Sequence, residues 1–319
     1  MSATTTTRRS GPMSEPMPPG RDLIGHALAR PVVRWPGDAQ LAVSLVVNYE
    51  EGAEACVGDG DARNDRAAEL GSGVPETRRD LALEQMFAYG TRCGLDRILD
   101  GLAEHRLRAT FMFCGRAAAR TPALARRAVD AGHEAACHGW AWANHALMDD
   151  RDAERREIER AVRDIEAATG QRPLGFYSRW GPSVHTRALL RELGFVYDSN
   201  AYDDDLPYWD RTLPGGPMLV LPYALDSNDY KFFEGDPWGT GEAFVAYLRA
   251  AIDELLDEGA RGAPKMLSIG LHLRIVGRPG RFRALRRLFA DLASLGPRVW
   301  VAPRIEIARH WMAQHPTLP

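Results

Sequence analysis

The 319-residue sequence is poor in lysine and has no long apolar run. Lys231 and Lys265 are the only lysines among 40 basic residues, and the formal net charge is −3. A protein of this charge has no basic excess to attract nucleic acid or an acidic membrane surface. No stretch reaches the roughly eighteen consecutive apolar residues that a membrane-spanning helix needs. We therefore expect neither a nucleic acid nor a membrane as a partner.

The sequence also lacks paired cysteines and a secretory signal. Its four cysteines, Cys56, Cys93, Cys114 and Cys137, form no C-x-x-C pair, which argues against a disulfide framework and a structural zinc site. The two arginines near the N-terminus are not followed by an apolar segment. The Thr, Ser and Pro content there predicts a disordered leader over residues 1–19. We expect free thiols in a cytoplasmic protein, with residues 20–319 forming one domain.

Apolar runs and amphipathic stretches alternate along the rest of the chain. A Gly-, Asp- and Arg-rich loop over 52–79 is long for a compact domain, so it is either functional or mobile. The alternation predicts a parallel β/α architecture, open or closed. Strands are predicted at 41–47, 109–113, 133–137, 173–177, 195–197, 218–222 and 266–272, and helices at 81–102, 122–131, 149–169, 185–193, 240–258 and 281–295.

Polar, titratable side chains follow several of these predicted strands. Because β/α barrels build their sites at the carboxyl ends of the strands, such side chains are candidates for one site. The strand-end groups are Glu50 and Glu51, His138, Tyr177 and Arg179, Asp198, and His272 with Arg274.

Glu50 and Glu51 are the first candidates for acid–base chemistry. Adjacent side chains on an extended strand point to opposite faces, so only one of the two can face a barrel mouth. Burial in a partly apolar mouth would raise the pKa of that glutamate toward the range of a general base. The alternative is a solvated acidic turn, but the pair ends a buried strand and precedes Gly52, which favours a role in the site.

The histidines and arginines have simple structural alternatives. His138 and His272 each follow an apolar strand, and His272 is placed to give a proton to a leaving nitrogen, yet either could be a packed polar residue. Arg179 and Arg274 could orient a carboxylate base or hold an anionic substrate if they face the same mouth. Otherwise each forms a surface ion pair.

Several longer motifs are similar to those of one superfamily. "NYEEGAE", "CHGW", "YDSNAYDDDLPYW" and "LHLRIVGRPGR" resemble the polysaccharide deacetylase (NodB-homology) superfamily. They resemble most closely its allantoinase-like branch, the PuuE-type allantoinases and cyclic imide hydrolases that open rings without a cofactor. The resemblance runs from Gly20 to Pro316. It implies an α/β fold, a single-domain distorted (β/α) barrel with fewer than eight regular strands.

The resemblance also implies which residues act. Glu50 takes the place of the general base and Glu51 that of a metal-ligating acid. Arg179 corresponds to the arginine that orients the base, Asp198 to a fourth-motif aspartate, and His272 to the general acid. We assign catalysis to Glu50, Glu51, His138, Arg179 and His272, and substrate binding to Trp140, Trp142, Tyr177, Asp198 and Arg274.

One difference from the superfamily bears on the metal. His138 matches the first metal-binding histidine, but Trp142 stands where the second would be. Zinc sites use three protein ligands, and an indole offers no lone pair. We expect no catalytic metal. The alternative is that His145 completes a Glu51–His138–His145 set that holds Zn²⁺ or another divalent metal.

These observations predict a hydrolase of non-peptide C–N bonds that opens a small cyclic amide, ureide or imide without metal. Ala141 stands where the allantoinase-like branch has an arginine, so allantoin itself is in doubt. The alternatives are a divalent-metal N-deacetylase of an amino sugar or small metabolite, and an inactive ligand-binding barrel. We also expect a homo-oligomer, with the aromatic loop Tyr202–Trp209 as a candidate interface.

Overall fold

The computed structural model describes residues 21–67, 69, 71–148, 150–232 and 239–317. The chain divides into two compact units, Met1–Pro31 and Val32–Pro319. The predicted leader over 1–19 lies outside the described residues. In the first unit, the Asp22 carboxylate accepts the backbone N–H groups of Ile24 and Gly25. The sheet, the helices and all candidate site residues belong to the second unit.

One curled sheet forms the centre of the second unit. Strand order is β6-β7-β5-β4-β3-β2-β1-β8, and β9 also pairs with β1. All neighbours are parallel except β6 and β7. The strands are β1 Leu41–Tyr49, β2 Thr110–Phe113, β3 Glu134–Cys137, β4 Gly175–Phe176, β5 Tyr197–Asp198, β6 Tyr208–Asp210, β7 Met218–Val220, β8 Lys265–His272 and β9 Val299–Val301. Five of these described strands have only two or three residues, in keeping with a distorted barrel.

Helices cover the sheet, and none of those described has the length and apolar character needed to cross a membrane. The predicted helix over 81–102 is interrupted by one π-helical segment, Gly90–Gly94. The short α3, the C-terminal α9, and the strands β6 and β9 were not predicted, because their apolar runs are short. The helices are α1 Leu81–Tyr89, α2 Leu95–Glu104, α3 Gly115–Arg120, α4 Pro122–Asp130, α5 Arg151–Thr169, α6 Thr186–Glu192, α7 Gly241–Ala260, α8 Pro279–Ser294 and α9 Arg304–Gln314.

Strand β1 is buried on both faces, and its side chains alternate between two cores. Leu41, Val43 and Leu45 pack into the core beneath the helices. Ala42 and Val46 pack into the core inside the curled sheet. This period of two continues past the end of the strand, so residue 50 is in phase with the interior and residue 51 with the helix layer.

Irregular segments complete the curl on the free side of β8. Backbone N–H groups of Met266 and Gly270 donate to the carbonyls of Asp205 and Ser227 at 2.9 and 3.0 Å. The Ser268 hydroxyl donates to the Pro222 carbonyl at 3.0 Å. These segments follow β5 and β7, at the far end of the strand order. The sheet therefore closes through loops instead of a continuous ladder, which is the predicted distorted barrel.

Arg304, the first residue of α9, lies inside the curl and has no solvent exposure. Its guanidinium donates to the Ser199 and Ser268 hydroxyls at 3.0 and 2.6 Å, and to the carbonyls of Leu221 and Pro222. A buried cation needs such partners to offset its lost hydration. Arg304 thus ties α9 to β8 and to the residues that follow β5 and β7.

Candidate active site

A cavity of about 180 Å³ opens at the carboxyl ends of the strands. Six predicted site residues line it: Glu50, His138, Trp142, Tyr177, Arg179 and His272. The other lining residues come from the end of β1, from β4–β5 and from the segment after β7. They are Asn48, Trp180, Tyr202, Tyr223, Ala224, Leu225, Asn228, Tyr230 and Lys231. A larger groove of about 500 Å³ on α2 and α8 contains none of the predicted residues.

Glu50 is the centre of the polar contacts. Its Oε1 lies 3.2 Å from Nε2 of His138 and 3.3 Å from Nε2 of His272, and its Oε2 accepts from Nη1 of Arg274 at 2.7 Å. Burial opposes ionisation, but His272 and Arg274 outweigh it and hold the pKa of Glu50 well below its usual range. The expectation that burial would raise the pKa of this glutamate is wrong, because three nitrogen-bearing side chains surround the carboxylate. Glu50 is therefore a carboxylate at neutral pH.

Both histidines are held by their Nδ1 atoms. Nδ1 of His138 lies 2.7 Å from the carbonyl of Tyr177, and since a carbonyl can only accept, this nitrogen carries a hydrogen. Nδ1 of His272 lies 2.6 Å from Oδ1 of Asp229, whose Oδ2 accepts the backbone N–H of His272. Each Nε2 is thereby aimed at Glu50.

His272 carries a proton at neutral pH. Burial acts to lower its pKa, but Glu50 and Asp229 together raise it to about 9. The imidazolium sits between two carboxylates, with its Nε2–H facing the cavity. This arrangement supplies an acid within reach of a bound molecule.

Glu51 points into the helix layer and does not line the cavity. Its Oε1 accepts the backbone N–H of Arg274 at 3.1 Å. It presses against Gly90 so closely that any side chain at that position would overlap its carboxylate. Burial is the main reason that the pKa of Glu51 rises to about 7, with Arg274 opposing and Glu50 assisting. A direct catalytic role in this cavity is therefore not open to Glu51.

Arg274, and not Arg179, orients Glu50. Arg179 forms an ion pair with Asp65, from the long loop after β1, and donates to the Trp142 carbonyl at 2.9 Å. No described contact joins Arg179 to Glu50. The resemblance assigned the orienting role to Arg179. The structure corrects this, because the Arg179 guanidinium pairs with the carboxylate of Asp65 instead of Glu50. The loop over 52–79 is thus part of the site.

The indole of Trp142 contacts two cations. The guanidinium carbons of Arg179 and Arg274 lie 3.5 and 4.9 Å from its ring centre. The ring centre of Trp180 lies 3.9 Å from the same guanidinium carbon of Arg179. Such stacking stabilises each guanidinium by roughly 0.5–2 kcal/mol. Trp142 therefore positions both arginines around the cavity.

Arg274 contacts Glu50 and does not line the cavity, so its substrate-binding assignment is corrected. Two other predicted substrate-binding residues lie elsewhere. Trp140 donates from Nε1 to Asp164 at 2.7 Å and faces α5, against the guanidinium of Arg160. Asp198 has no solvent exposure and accepts from Arg187 at 2.8 Å. Neither lines the cavity, so both assignments are corrected: Trp140 and Asp198 hold the surrounding loops. Ala141 does not line the cavity either, and the doubt about allantoin that follows from the missing arginine stays a prediction.

The donors present do not fit a divalent metal. In the described parts of the chain, no three His, Cys, Asp or Glu side chains are grouped to hold one. Nδ1 of His145 is bound to Glu154 at 3.1 Å, and Glu51 faces the helix layer, so the alternative Glu51–His138–His145 set does not assemble. The Arg274 guanidinium already lies against Glu50 and would repel a dication there.

Sequence patterns missed three residues that matter to this geometry. Asp229 and Asp65 come from loops and contact residues 43 and 114 positions away. Nothing in their local sequence marks them. Asn48 could have been found, because it is a polar residue inside an otherwise apolar strand and is in phase with Glu50.

Comparison with known proteins agrees with the sequence motifs. The sequence profile named "Polysaccharide deacetylase" matches residues 76–197. A Schizosaccharomyces pombe protein provisionally named polysaccharide deacetylase is 36% identical, over 93% of this chain and 98% of its own. The crystal structure of PuuE allantoinase has 42% identity and a TM-score of 0.88, covering 95% of this chain and 100% of its own. A Pseudomonas aeruginosa structure, also provisionally named polysaccharide deacetylase, has 42% identity and a TM-score of 0.87, covering 93% and 99%.

Proposed function

The chain belongs to the polysaccharide deacetylase family of hydrolases that act on C–N bonds, and we propose that it opens a small cyclic amide, ureide or imide without a metal. The observation that carries the proposal is the pairing of ionised Glu50 with protonated His272, Nε2 to Oε1 at 3.3 Å, at the wall of the cavity. A base and an acid are both in place. Support comes also from the similarity to a protein named PuuE allantoinase.

In this proposal a ring enters the cavity beside Glu50 and His272 and displaces their 3.3 Å contact. The charge of His272 lowers the pKa of Glu50 more than any other group does. A neutral ring that breaks this contact raises the pKa of Glu50 and makes it a stronger base. Glu50 accepts a proton from water, and the water oxygen attacks the ring carbonyl carbon. His272 gives its Nε2 proton to the ring nitrogen as the C–N bond breaks.

The oxyanion formed on the carbonyl needs a donor. Nε of Arg179 is buried, has no hydrogen-bond partner among the described residues, and belongs to a side chain that lines the cavity. A preorganised donor of this kind contributes about 10² to 10³ in rate. We assign oxyanion binding to Arg179, and His138 holds the same Oε1 of Glu50 that His272 contacts.

The size of the cavity favours a single ring. At about 180 Å³ it is smaller than the roughly 300–1,000 Å³ of sites for drug-sized ligands. Tyr177 stacks with His138 at 5.2 Å and lies 4.1 Å from the ring centre of Tyr223, forming an aromatic wall. A flat ring fits beside such a wall.

Removal of an N-acetyl group is the second candidate, because two similar proteins carry polysaccharide deacetylase names. The donor set argues against a metal-dependent form of that reaction. One experiment separates the two: chelator-treated protein is assayed with allantoin, hydantoin, succinimide, dihydrouracil and an N-acetylhexosamine, beside a Glu50→Gln control. Ring opening that survives chelation and disappears in the control supports the proposal. Acetate release that needs added metal would overturn it, and no turnover of any compound would favour the inactive barrel.

Two further properties are also proposals. The four cysteines carry free thiols, as predicted, and a reducing cytoplasm suits them. The loop Tyr202–Trp209 remains our candidate interface for a homo-oligomer. Tyr202 on this loop is 41% exposed at the cavity mouth. Sedimentation of the wild type beside Tyr202→Ala tests that interface.

A further inference from the structure

Asn48 presents a hydrogen-bond acceptor that has no partner in the part of the chain that the structure describes. It lies in β1, two residues before Glu50, and is 1% exposed. Its Nδ2 donates to the Tyr223 hydroxyl at 2.9 Å and to the Leu271 carbonyl at 3.2 Å. Because a carbonyl can only accept, the Leu271 contact fixes which end of the amide is Nδ2. Oδ1 is the remaining atom, and it is buried with no hydrogen-bond partner in the described residues.

The position of this atom points to a ligand. Asn48 lines the cavity together with Glu50 and His272. It is the register partner of His272 across the parallel strands β1 and β8, so the two side chains are neighbours on the same face of the sheet. Buried polar atoms are nearly always paired in folded proteins, and exceptions often mark function. A molecule in the cavity can supply the missing donor.

We propose that Oδ1 of Asn48 accepts the N–H of the amide that is cleaved, so that the site selects secondary amides over N-alkylated amides and esters. This inference rests on the proposed ring-opening function. An amide N–H lies in the amide plane, and the lone pair that develops on nitrogen during attack is directed out of that plane. With its N–H on Asn48, the nitrogen can turn its lone pair toward Nε2–H of His272.

The reaction balances with the residues present. Water adds to the carbonyl carbon and gives one proton to Glu50. The C–N bond breaks, and the nitrogen leaves as N–H₂ after receiving the proton of His272. The carbonyl carbon becomes a carboxylic acid. Transfer of the proton on Glu50 back to His272 restores the site. Asn48 exchanges no proton, so it is a positioning residue for the leaving nitrogen.

The test uses succinimide and N-methylsuccinimide, which differ only at the nitrogen. We expect the wild type to prefer succinimide in kcat/KM by at least about a hundredfold, since a site built to bind an N–H rejects the analogue without it. Asn48→Ala removes the acceptor and makes room for the methyl group, so the preference should fall to within about tenfold. Asn48→Asp keeps an acceptor in place and should retain most of the preference.

Tyr223→Phe is the matched control, because it removes a partner of Nδ2 and leaves Oδ1 untouched. Any change in its rates should be the same for both compounds, so its preference should match the wild type. Binding of both compounds to Glu50→Gln, measured by calorimetry, gives a readout without turnover. Circular dichroism verifies that each variant is folded.

The outcomes separate the two proposals. Turnover of both compounds, with a preference that Asn48→Ala leaves unchanged, overturns the role of Asn48 and leaves ring opening intact. Selective binding of succinimide to Glu50→Gln without turnover by the wild type supports the role of Asn48 and overturns ring opening. Neither binding nor turnover of succinimide, with hydantoin and dihydrouracil also inert, overturns both.

Discussion

Arg274 donates from Nη1 to Oε2 of Glu50 at 2.7 Å, and each side chain is 1% exposed. The two residues are 224 positions apart in the chain. A permanent cation at this distance in a poorly hydrated interior has a large effect on the carboxylate. Arg274 also donates its backbone N–H to Glu51, so one residue controls both members of the adjacent glutamate pair.

Replacing Arg274 should change the acid side of the pH–rate profile. In Arg274→Gln the pKa of Glu50 rises, because its nearest permanent cation is lost while burial remains. We expect the acid limb of kcat/KM to move up by at least about one pH unit, since one unit is about 1.4 kcal/mol. Arg179→Gln is the control: it should weaken kcat/KM and leave that limb in place. An acid limb that moves only in Arg179→Gln would reassign the orienting role.

His272 should set the alkaline side of the profile. Its pKa is raised to about 9 by Glu50 and Asp229 against the effect of burial, so the acid is present below that pH and is lost above it. We expect kcat/KM to fall above about pH 9 in the wild type. Asp229→Asn removes one carboxylate and should move this limb down by about one unit or more, measured with a substrate that does not titrate in this range. An alkaline limb that stays in place would remove His272 from the role of acid.

Glu51 should make folding stability depend on pH. Its pKa is raised from 4.5 to about 7 in the folded state, chiefly by burial, so the folded protein keeps a proton that the unfolded chain has lost. The contribution of this proton to the unfolding free energy is fully present below pH 4.5. It is lost as the pH rises to 7, which lowers the unfolding free energy by about 3 kcal/mol.

Glu51→Gln lacks this proton and should show no such loss. The difference in unfolding free energy between Glu51→Gln and the wild type should therefore increase in favour of the variant from pH 4.5 to 7. Denaturant titrations at several pH values measure this difference. Glu76→Gln, at an exposed position, provides the control and should differ from the wild type by a constant. A constant difference for Glu51→Gln as well would mean that Glu51 ionises normally.

Removal of Arg304 should destabilise the fold far more than removal of a nearby surface arginine. Arg304→Leu leaves two hydroxyls and two carbonyls inside the curl without their donor. We expect a loss of about 3–5 kcal/mol in unfolding free energy, since each buried polar group left without its donor costs about 1–3 kcal/mol. Arg309→Leu, exposed on the same helix, should cost no more than about 0.5 kcal/mol. Equal losses in thermal or chemical denaturation would contradict the role given to Arg304.

Much of the fold was predictable because its signals are local. The apolar run at Leu41–Val47 and the run ending at His272 are β1 and β8 in the structure. The family motifs predicted the distorted barrel, and the similar solved structures confirm it. Short elements such as β9 and α3 carry too few apolar residues to give a pattern, and only pairing and packing reveal them.

The roles of individual site residues were predictable only in part. Placement of Glu50, His138 and His272 at strand ends brought them together, as expected. The exchange of roles between Arg179 and Arg274 was not visible, since both are arginines that follow strands. Asp65 decides it, and this residue comes from a loop whose course no local pattern specifies.

The sequence by itself determined the strand ends, the superfamily and the opposite facing of Glu50 and Glu51, because each follows from spacing along one segment. Tertiary structure alone decided their protonation. His272 and Arg274 reach Glu50, and Asp229 reaches His272, across large separations in the chain. The balance between these charges and burial holds one glutamate ionised and raises the pKa of the other to about 7. Electrostatic effects depend on distance and hydration, and neither is written in the order of residues.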